Sequence, residues 1–330
     1  MRITVETTMG KVVKENDKVD ENVVTEILFL MKATVKRIYL NFIKLQWLYF
    51  FYPRYYKAKN YTHNFVHELI INKLQNLHVN ETIRDQTKTD TSVESDDSVV
   101  TIKKTPKIFI DQAIRIYQRQ QFTWIDIIAE SNTIVAASFE TIASVIFSTI
   151  VMLAMHSDVQ EKLYEEIVSV FPEKDFEMKF EHMEQLPYLD MVINETMRLA
   201  PAVPVIGRQP TKDTQLTKDI LLPKGLQIII SIFHLHRNTD IWGPNANKFN
   251  PDNFLPENLT ARHSHAFIPF SKGPRNCIGW RYALFVLKVL IAGSVRNFRY
   301  TTTFRYEDLV YLENITIKYL VEPKIQIHRR

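Results

Sequence analysis

The residues of this chain that are best placed to do chemistry surround its single cysteine, Cys277, in the stretch 270–279, which reads FSKGPRNCIG. One thiol cannot form an internal disulfide or a zinc site made of several cysteines. It is then a lone metal ligand, a nucleophile or a redox thiol, or else a small buried apolar side chain, as free cysteines often are. The neighbouring residues favour a chemical role.

Two glycines and an arginine stand at short fixed spacings from this thiol. Gly273 and Gly279 allow positive φ and a close approach of the backbone to something flat or bulky, which is how a loop folds under a cofactor. Arg275 offers a charge-assisted contact to a carboxylate and favours the thiolate, although alone it would be read as a solvated surface arginine. A helical period begins at Trp280, so the thiolate would precede a helix N-terminus that stabilises negative charge.

Together Phe270, Gly273, Arg275, Cys277 and Gly279 form the pattern F-x-x-G-x-R-x-C-x-G. Five fixed residue types at fixed spacing are expected by chance in a chain of this length at on the order of 10⁻⁵ to 10⁻⁴. The pattern resembles the signature of the haem-thiolate cytochrome P-450 monooxygenases. The resemblance implies a mainly α fold with small β-sheets and a haem b whose iron takes Cys277 as axial ligand. It also implies that Arg275 pairs with a haem propionate and that Phe270 packs beside the sulfur.

A second motif, AASFET, lies inside an apolar helical pattern over residues 122–155. It resembles the A/G-G-x-D/E-T pattern of the family's central oxygen-binding helix. The resemblance implies that Glu140 and Thr141 serve proton delivery to bound dioxygen and that Ala137 faces the haem. Alternatively, Thr141 is a buried threonine that bonds back to its own helix. Ser138 stands where the family usually has glycine, which disfavours a water-admitting groove in the helix. The resemblance also implies that Ala137 replaces a glutamate that esterifies haem in some relatives, so we expect non-covalent haem.

A third motif, E-x-x-R, places Glu195 and Arg198 one turn apart in a helical pattern over residues 186–201. Such a pair is usually a solvated ion pair of little energetic value. Here the apolar surroundings and the ETMRL context favour the buried structural pair of the resembled family.

Two positions near this helix complete the resemblance. Arg208, seven residues after Pro201, matches a position that binds a haem propionate. The segment HRNTDIWGPNANKFNPDNF matches the family's meander but has Asn253 where an arginine normally joins the E-x-x-R pair. We therefore expect that network to lose a cation and to close in another way.

The remaining periodicity predicts the elements that must position these residues. Further helical patterns cover 22–52, 60–78, 107–120 and 157–172, a flexible loop is expected over 79–106, and strands are expected around the Lys224–Gly225 turn and within 297–328. No internal repeat and no second domain boundary is evident, so residues 1–330 are interpreted as one partial cytochrome P-450 domain.

Composition and charge limit which classes of binding partner the sequence favours. A net charge of +4 is too small to favour nucleic acid, and no stretch of 18 apolar residues or signal peptide is found. The aromatic run 47–51, ended by Pro53, is either the end of a core helix or a surface that dips into the membrane interface. The family resemblance favours the cytosolic face of the endoplasmic reticulum, the microsomal membrane, although this chain shows no anchor.

The resemblance is to the insect-type members related to fatty-acid omega-hydroxylases, and the N-terminal third of that family pattern is missing here. It implies an oxidoreductase that hydroxylates small lipophilic substrates with dioxygen and electrons from NADPH through NADPH-cytochrome P-450 reductase. Without the missing third we expect weak haem binding and poor turnover. The alternative is a non-catalytic remnant or binding protein, which an incomplete gene model would imitate. Candidate substrate contacts are Ala136, Phe139, Val203, Val205 and Ile206.

Overall fold

The computed structural model describes residues 1–11, 21–42, 45–89, 108–312 and 314–330. The chain divides into two compact units, Met1–Phe139 and Glu140–Arg330. Helices dominate both units, which confirms the expectation of a mainly α fold. In chain order the α-helices are α1 Arg2–Thr4, α2 Glu21–Phe42, α3 Pro53–Thr89, α4 Phe109–Gln118, α5 Trp124–Met155, α6 Ser157–Val170, α7 Pro187–Leu199, α8 Ile232–Leu235, α9 Thr239–Trp242, α10 Pro256–Thr260 and α11 Trp280–Asn297.

The first unit has a helical core to which α2, α3, α4 and the first half of α5 contribute. In α3, the buried residues Val66, Leu69 and Ile70 recur at the three- and four-residue spacing that places side chains on one helical face. They pack with apolar residues of the neighbouring helices, among them Val23, Ile27, Ile110, Ile114, Ile127 and Ile128.

Two boundaries in this unit differ from the sequence prediction. The helix predicted to reach residue 52 ends at Phe42, and a 3-10 helix covers Gln46–Phe51. The loop predicted over 79–106 is wrong for its first part, because α3 continues through Thr89. Residues 79–89 include the good helix formers Glu81, Arg84 and Gln86 but also several residues of low helix propensity, so propensity alone does not explain this extension. Residues 90–106 of that prediction lie outside the described residues.

Helix α5 runs through the central motif without a break and supplies apolar residues to both cores. Val135 and Phe139 belong to the core of the first unit, and Met152 and Leu153 to that of the second. By length and composition α5 is the one helix of the described part of the chain that would be apolar enough to cross a membrane, with 44% of its most apolar window buried. Core helices of soluble proteins meet the same criterion, so this observation is weak evidence for a membrane span.

The second unit packs α6, α7 and α11 around one hydrophobic core. The fully buried residues of this core include Leu163, Ile167, Leu189, Val192, Ile193, Ile291 and Val295. The buried Lys288 of α11 donates a hydrogen bond from Nζ to Asp190 Oδ2 of α7 at 2.6 Å. Helix α11, which follows the cysteine loop, is thus fixed by both apolar burial and an ion pair.

In the described part of the chain, the strands form four two-stranded antiparallel sheets. Sheet β1–β4 pairs Val205–Arg208 with Ile228–Ser231, and sheet β2–β3 pairs Thr214–Gln215 with Leu221–Leu222. The predicted turn is present, since Gly225 has φ +84°. In the C-terminal region, β5 (Phe298–Thr301) pairs with β8 (Gln326–Arg329), and β6 (Tyr311–Leu312) pairs with β7 (Lys318–Tyr319).

Candidate functional site

The loop that carries Cys277 is closed by its own backbone. The amide of Cys277 donates to the carbonyl of Phe270 at 2.9 Å, and the amide of Asn276 donates to Gly273 O at 3.1 Å. Gly273 has φ +87° and Ser271 has φ +61°, so two left-handed residues reverse the chain. The Cys277 side chain is exposed. The loop therefore presents a free thiol on a short, internally bonded support.

The two glycines of the motif have different conformations. Gly273 has the expected positive φ, but Gly279 has φ −91°, so the expectation of a left-handed backbone there is wrong. A Cβ at Gly279 would lie 4.0 Å from Cys277 Sγ, an ordinary contact distance. Gly279 is the residue before α11, and a residue in that position needs no left-handed backbone to enter a helix. The thiol lies just before the helix N-terminus, as predicted.

The two arginines expected to hold anionic groups are both in this unit. Arg275 is exposed in the cysteine loop. Arg208, at the end of β1, donates from Nη2 to Ser271 Oγ at 2.6 Å. The structure thus brings the β1 arginine into direct contact with the cysteine loop. Val205 and Ile206 of the same strand, together with Val203, are half-buried.

The acid of the central motif has an unexpected partner. Glu140 is nearly buried, and its Oε1 accepts hydrogen bonds from Lys318 Nζ and, at 3.2 Å, from Thr316 Oγ1. Ser144 and Ser148, one and two turns further along α5, contact the same segment through Ile317 O and Tyr319 OH. Glu140, Ser144 and Ser148 are polar side chains at a spacing of four residues in an apolar helix. This spacing is the sequence signal that would have indicated a contact between this face of α5 and the segment 316–319. Sequence reasoning missed Lys318.

Other predicted residues on α5 lie elsewhere. Ala137 and Phe139 belong to the first unit, where Phe139 is buried in the core and Ala136 packs against it. Ser138 donates from Oγ to Ile134 O at 2.6 Å, so it bonds back to its own helix. Helix α5 has no break at this position. Glu140 and Thr141 are the first residues of the part of α5 that belongs to the second unit.

The E-x-x-R pair is buried, as expected. Arg198 donates from Nε to Glu195 Oε2 at 2.6 Å and from Nη2 to Oε1 at 2.7 Å, and neither side chain is exposed. The remaining guanidinium hydrogens go to the carbonyls of His236, Ala246 and Lys248 at 2.9, 2.5 and 3.0 Å. Burial raises the pKa of Glu195, while Arg198 opposes that rise. The pair ties α7 to three later points of the chain.

Asn253 takes part in this network as a neutral donor. Its Nδ2 donates to Glu195 Oε1 at 3.2 Å, beside the amide of Asn250 at 2.8 Å. Its carbonyl accepts from Arg262 Nη1 at 2.5 Å. As expected, the position that is an arginine in the family pattern bonds to Glu195 through a neutral amide instead. A second arginine, Arg262, nevertheless lies next to the network and bonds to the backbone of Asn253. Sequence reasoning had not identified Arg262.

A buried histidine links this network to the segment before the cysteine loop. His236 Nε2 accepts from the amide of Ile268 at 2.9 Å, and His236 is 0% exposed. Burial lowers the pKa of His236 to about 3, with the charges of Arg198 and Arg237 acting in the same direction. The imidazole is therefore neutral at ordinary pH, and Nε2 stays available as an acceptor.

Comparison with known proteins agrees with these features. A family model described as cytochrome P450 matches residues 1–319. Probable cytochrome P450 313a4 of Drosophila melanogaster is 38% identical over 333 residues, which cover 99% of this chain and 64% of that protein. Probable cytochrome P450 313a1 of the same organism is 38% identical over 261 residues, covering 79% of this chain and 51% of that protein. The chain thus spans about half to two thirds of the length of these relatives.

Two solved structures have a similar fold. The heme domain of cytochrome P450DA has a TM-score of 0.77 at 17% identity, and cytochrome P450 CYP102L1 has a TM-score of 0.74 at 19% identity. Each match covers 100% of this chain and 66% of the compared chain. At these identities the likeness concerns the fold alone.

Proposed function

Because the chain belongs to the cytochrome P450 family, we propose that it provides the thiolate side of a haem-dependent monooxygenase that hydroxylates small lipophilic molecules. The observation that carries this proposal is the exposed Cys277 thiol on a loop closed by the Phe270–Cys277 backbone bond. The relatives' sequences extend beyond the part that this chain covers, so activity, substrate and electron donor are proposed for the protein as a whole.

The residues present fit a haem with one protein-derived ligand. Among the described residues no cluster of three His, Cys, Asp or Glu side chains is arranged to hold a metal ion by itself. A lone accessible thiol such as Cys277 would supply the one protein ligand that would hold the iron of a haem. Haem held by this thiolate would supply the activation of dioxygen, because a thiolate ligand donates electron density to iron.

Three residues of the second unit would hold the haem. Cys277 binds iron as thiolate, and its amide is held by Phe270 O so that the sulfur keeps its place. Arg275 and Arg208 bind haem propionates through charge-assisted hydrogen bonds. The hydrogen bond of Arg208 to Ser271 orients that guanidinium at the loop.

Proton delivery is assigned to Glu140 and Thr141. The nearly buried Glu140 holds a carboxylate in contact with Lys318, whose side chain is 41% exposed. This pair connects the α5 acid with a solvent-accessible ammonium group, which can pass a proton to the carboxylate and regain one from water. Val203, Val205 and Ile206 exclude water and contact the substrate.

The aromatic run after α2 supports a membrane-facing role. Within the 3-10 helix Gln46–Phe51, Trp47 is 51% exposed and Phe51 is 76% exposed. Exposed large aromatics favour the membrane-interface interpretation over the core interpretation. We place the protein on the cytosolic face of the endoplasmic reticulum membrane, where NADPH-cytochrome P-450 reductase would supply electrons.

The test is the carbon monoxide difference spectrum of the reduced chain after reconstitution with haem. We expect the band characteristic of thiolate-ligated haem in the unaltered chain and in the control variant Asn276→Ser, which changes an exposed neighbour of the thiol. Cys277→Ser should lose that band. An unchanged spectrum in Cys277→Ser, or no thiolate band in the unaltered chain, would overturn the assignment.

A further inference from the structure

Arg262 lies next to the buried Glu195–Arg198 pair without being part of the E-x-x-R motif. Its guanidinium is 4.4 Å from the centre of the Trp242 ring, and the guanidinium of Arg198 is 4.9 Å from the same ring. Arginine over tryptophan is a favourable cation–π arrangement. Two arginines from distant parts of the chain thus share one aromatic contact.

The second contact of Arg262 fixes Asn253. Arg262 Nη1 donates to Asn253 O at 2.5 Å, while the Asn253 side chain donates to Glu195 Oε1 at 3.2 Å. Asn253 is therefore held at both its backbone and its side chain, between the cation and the buried carboxylate. Burial and the charge of Arg198 lower the pKa of Arg262, and the charge of Glu195 raises it. Arg262 is thus electrostatically coupled to both members of the pair.

The segment that follows Arg262 leads to the cysteine loop through a series of aromatic and backbone contacts. The Phe267 ring lies 4.7 Å from the Phe254 ring and 6.4 Å from the Trp242 ring, centre to centre. The next residue, Ile268, donates its amide to the buried His236. Two residues later Phe270 O accepts the amide of Cys277. Arg262 fixes the start of this segment, and Cys277 lies at its end.

We propose that Arg262 supplies the second cation of the Glu195–Arg198 network and acts as a positioning residue for the Cys277 loop. Asn253 is too short and uncharged to supply that charge itself, so Arg262 provides it from nine residues further along. The effect on the position of the segment 262–277 is a property of the polypeptide alone. Its consequence for metal ligation rests on the function proposed above.

Hydrogen–deuterium exchange on the unaltered chain and its variants tests the positional part without haem. Loss of a charge-assisted hydrogen bond corresponds to about tenfold to hundredfold faster local opening. We expect Arg262→Gln to speed amide exchange in the peptide 264–277 by that factor and to leave the β5–β8 sheet unchanged. The matched control is Arg281→Gln, because Arg281 also lies 4.9 Å from a tryptophan ring, that of Trp280, but is exposed.

A second substitution separates charge from volume. Asn253→Arg places a cation directly beside Glu195, so we expect Asn253→Arg to restore slow exchange in the Arg262→Gln background. Asn253→Gln, which lengthens the neutral side chain, should not. If Arg262→Gln fails to fold, Arg262→Lys retains the charge without the planar guanidinium and should give an intermediate rate. Unchanged exchange in Arg262→Gln or in Arg262→Lys, or no rescue by Asn253→Arg, would overturn the proposal.

The haem-reconstituted chains supply the spectroscopic readout. We expect Arg262→Gln to lower the thiolate band per bound haem and Asn253→Arg to recover it, which a general loss of stability would not do. If the exchange results hold but no chain shows a thiolate band, the positional role of Arg262 stands and the proposed function fails. If the band is normal in Arg262→Gln, the positioning of Cys277 by Arg262 is refuted while the proposed function survives.

Discussion

Arg198 donates two hydrogen bonds to the carboxylate of Glu195, from Nε at 2.6 Å and from Nη2 at 2.7 Å. Because neither side chain is exposed, water cannot replace either partner. The other guanidinium hydrogens satisfy three backbone carbonyls, so this single side chain joins α7 to the segments at residues 236, 246 and 248. The pair is therefore a buried structural ion pair that links separate segments of the chain, not a solvated surface ion pair.

Arg198→Ala should lower the free energy of unfolding by about 3–5 kcal/mol, because it leaves a buried carboxylate without its counter-charge. Chemical denaturation of the whole chain measures this change. The control is Arg305→Ala, since Arg305 pairs with Asp308 with 77% of its side chain exposed and should cost less than about 1 kcal/mol. Equal effects of the two substitutions would show that the buried pair carries no special weight.

Haem bound to this chain should be released completely by acidified organic solvent. The family resemblance implies that a glutamate at the position of Ala137 esterifies haem in some relatives, and a methyl group forms no ester. The measurement is partition of the haem absorbance between solvent and protein after extraction. Ala137→Glu provides the matched comparison, and haem retained by the unaltered polypeptide would contradict the prediction.

The parts of the site that could be predicted from the sequence are those whose residues lie close together along the chain, at a spacing that determines their contact. The Glu195–Arg198 pair follows from a three-residue interval on one helix, and the cysteine loop from a ten-residue pattern. The contact of Lys318 with Glu140 joins residues 178 positions apart, and that of His236 with Ile268 joins residues 32 apart. Such contacts depend on how the elements pack, which periodicity within one element does not specify.

The extension of α3 was missed for a different reason. Loss of apolar periodicity after residue 78 predicts the end of the helix, although apolar periodicity reports burial and not helix formation. The helix nevertheless continues to Thr89, through a segment that mixes good helix formers with threonine, asparagine and aspartate. In the same way, glycine at position 279 suggested a special backbone that the structure does not have, because glycine also occurs where no positive φ is needed.

Lys318→Met should destabilise the chain by about 1–3 kcal/mol, since among the described residues the nearly buried Glu140 would retain Thr316 alone as a side-chain donor. Glu140→Gln in the same chain removes the negative charge, so we expect the double variant to lose less than the sum of the two single losses. Denaturation of the four chains gives this double-mutant cycle. Lys162→Met serves as control, because its pair with Asp252, at 4.0 Å, is exposed on both sides. Strict additivity would disprove the coupling between Glu140 and Lys318.

The stability of the chain should depend on pH through His236. Burial lowers the pKa of this imidazole to about 3 in the folded chain, whereas in the unfolded chain it returns to about 6.5. Between these values the unfolded state binds one more proton than the folded state, so stability rises with pH and is lost as pH falls from 6.5 towards 3. The slope contributed by His236 approaches about 1.4 kcal/mol per pH unit well inside this window.

His236→Gln isolates this contribution, because glutamine offers an acceptor for the Ile268 amide but does not titrate. We expect the difference in unfolding free energy between the unaltered chain and His236→Gln to be constant above about pH 7 and to change steadily below it, in favour of the variant. Denaturation at a series of pH values gives the two curves. His328→Gln, at an exposed histidine of β8, is the matched control and should leave the slope unchanged. Parallel curves for His236→Gln and the unaltered chain down to pH 4 would mean that His236 is not held neutral by burial.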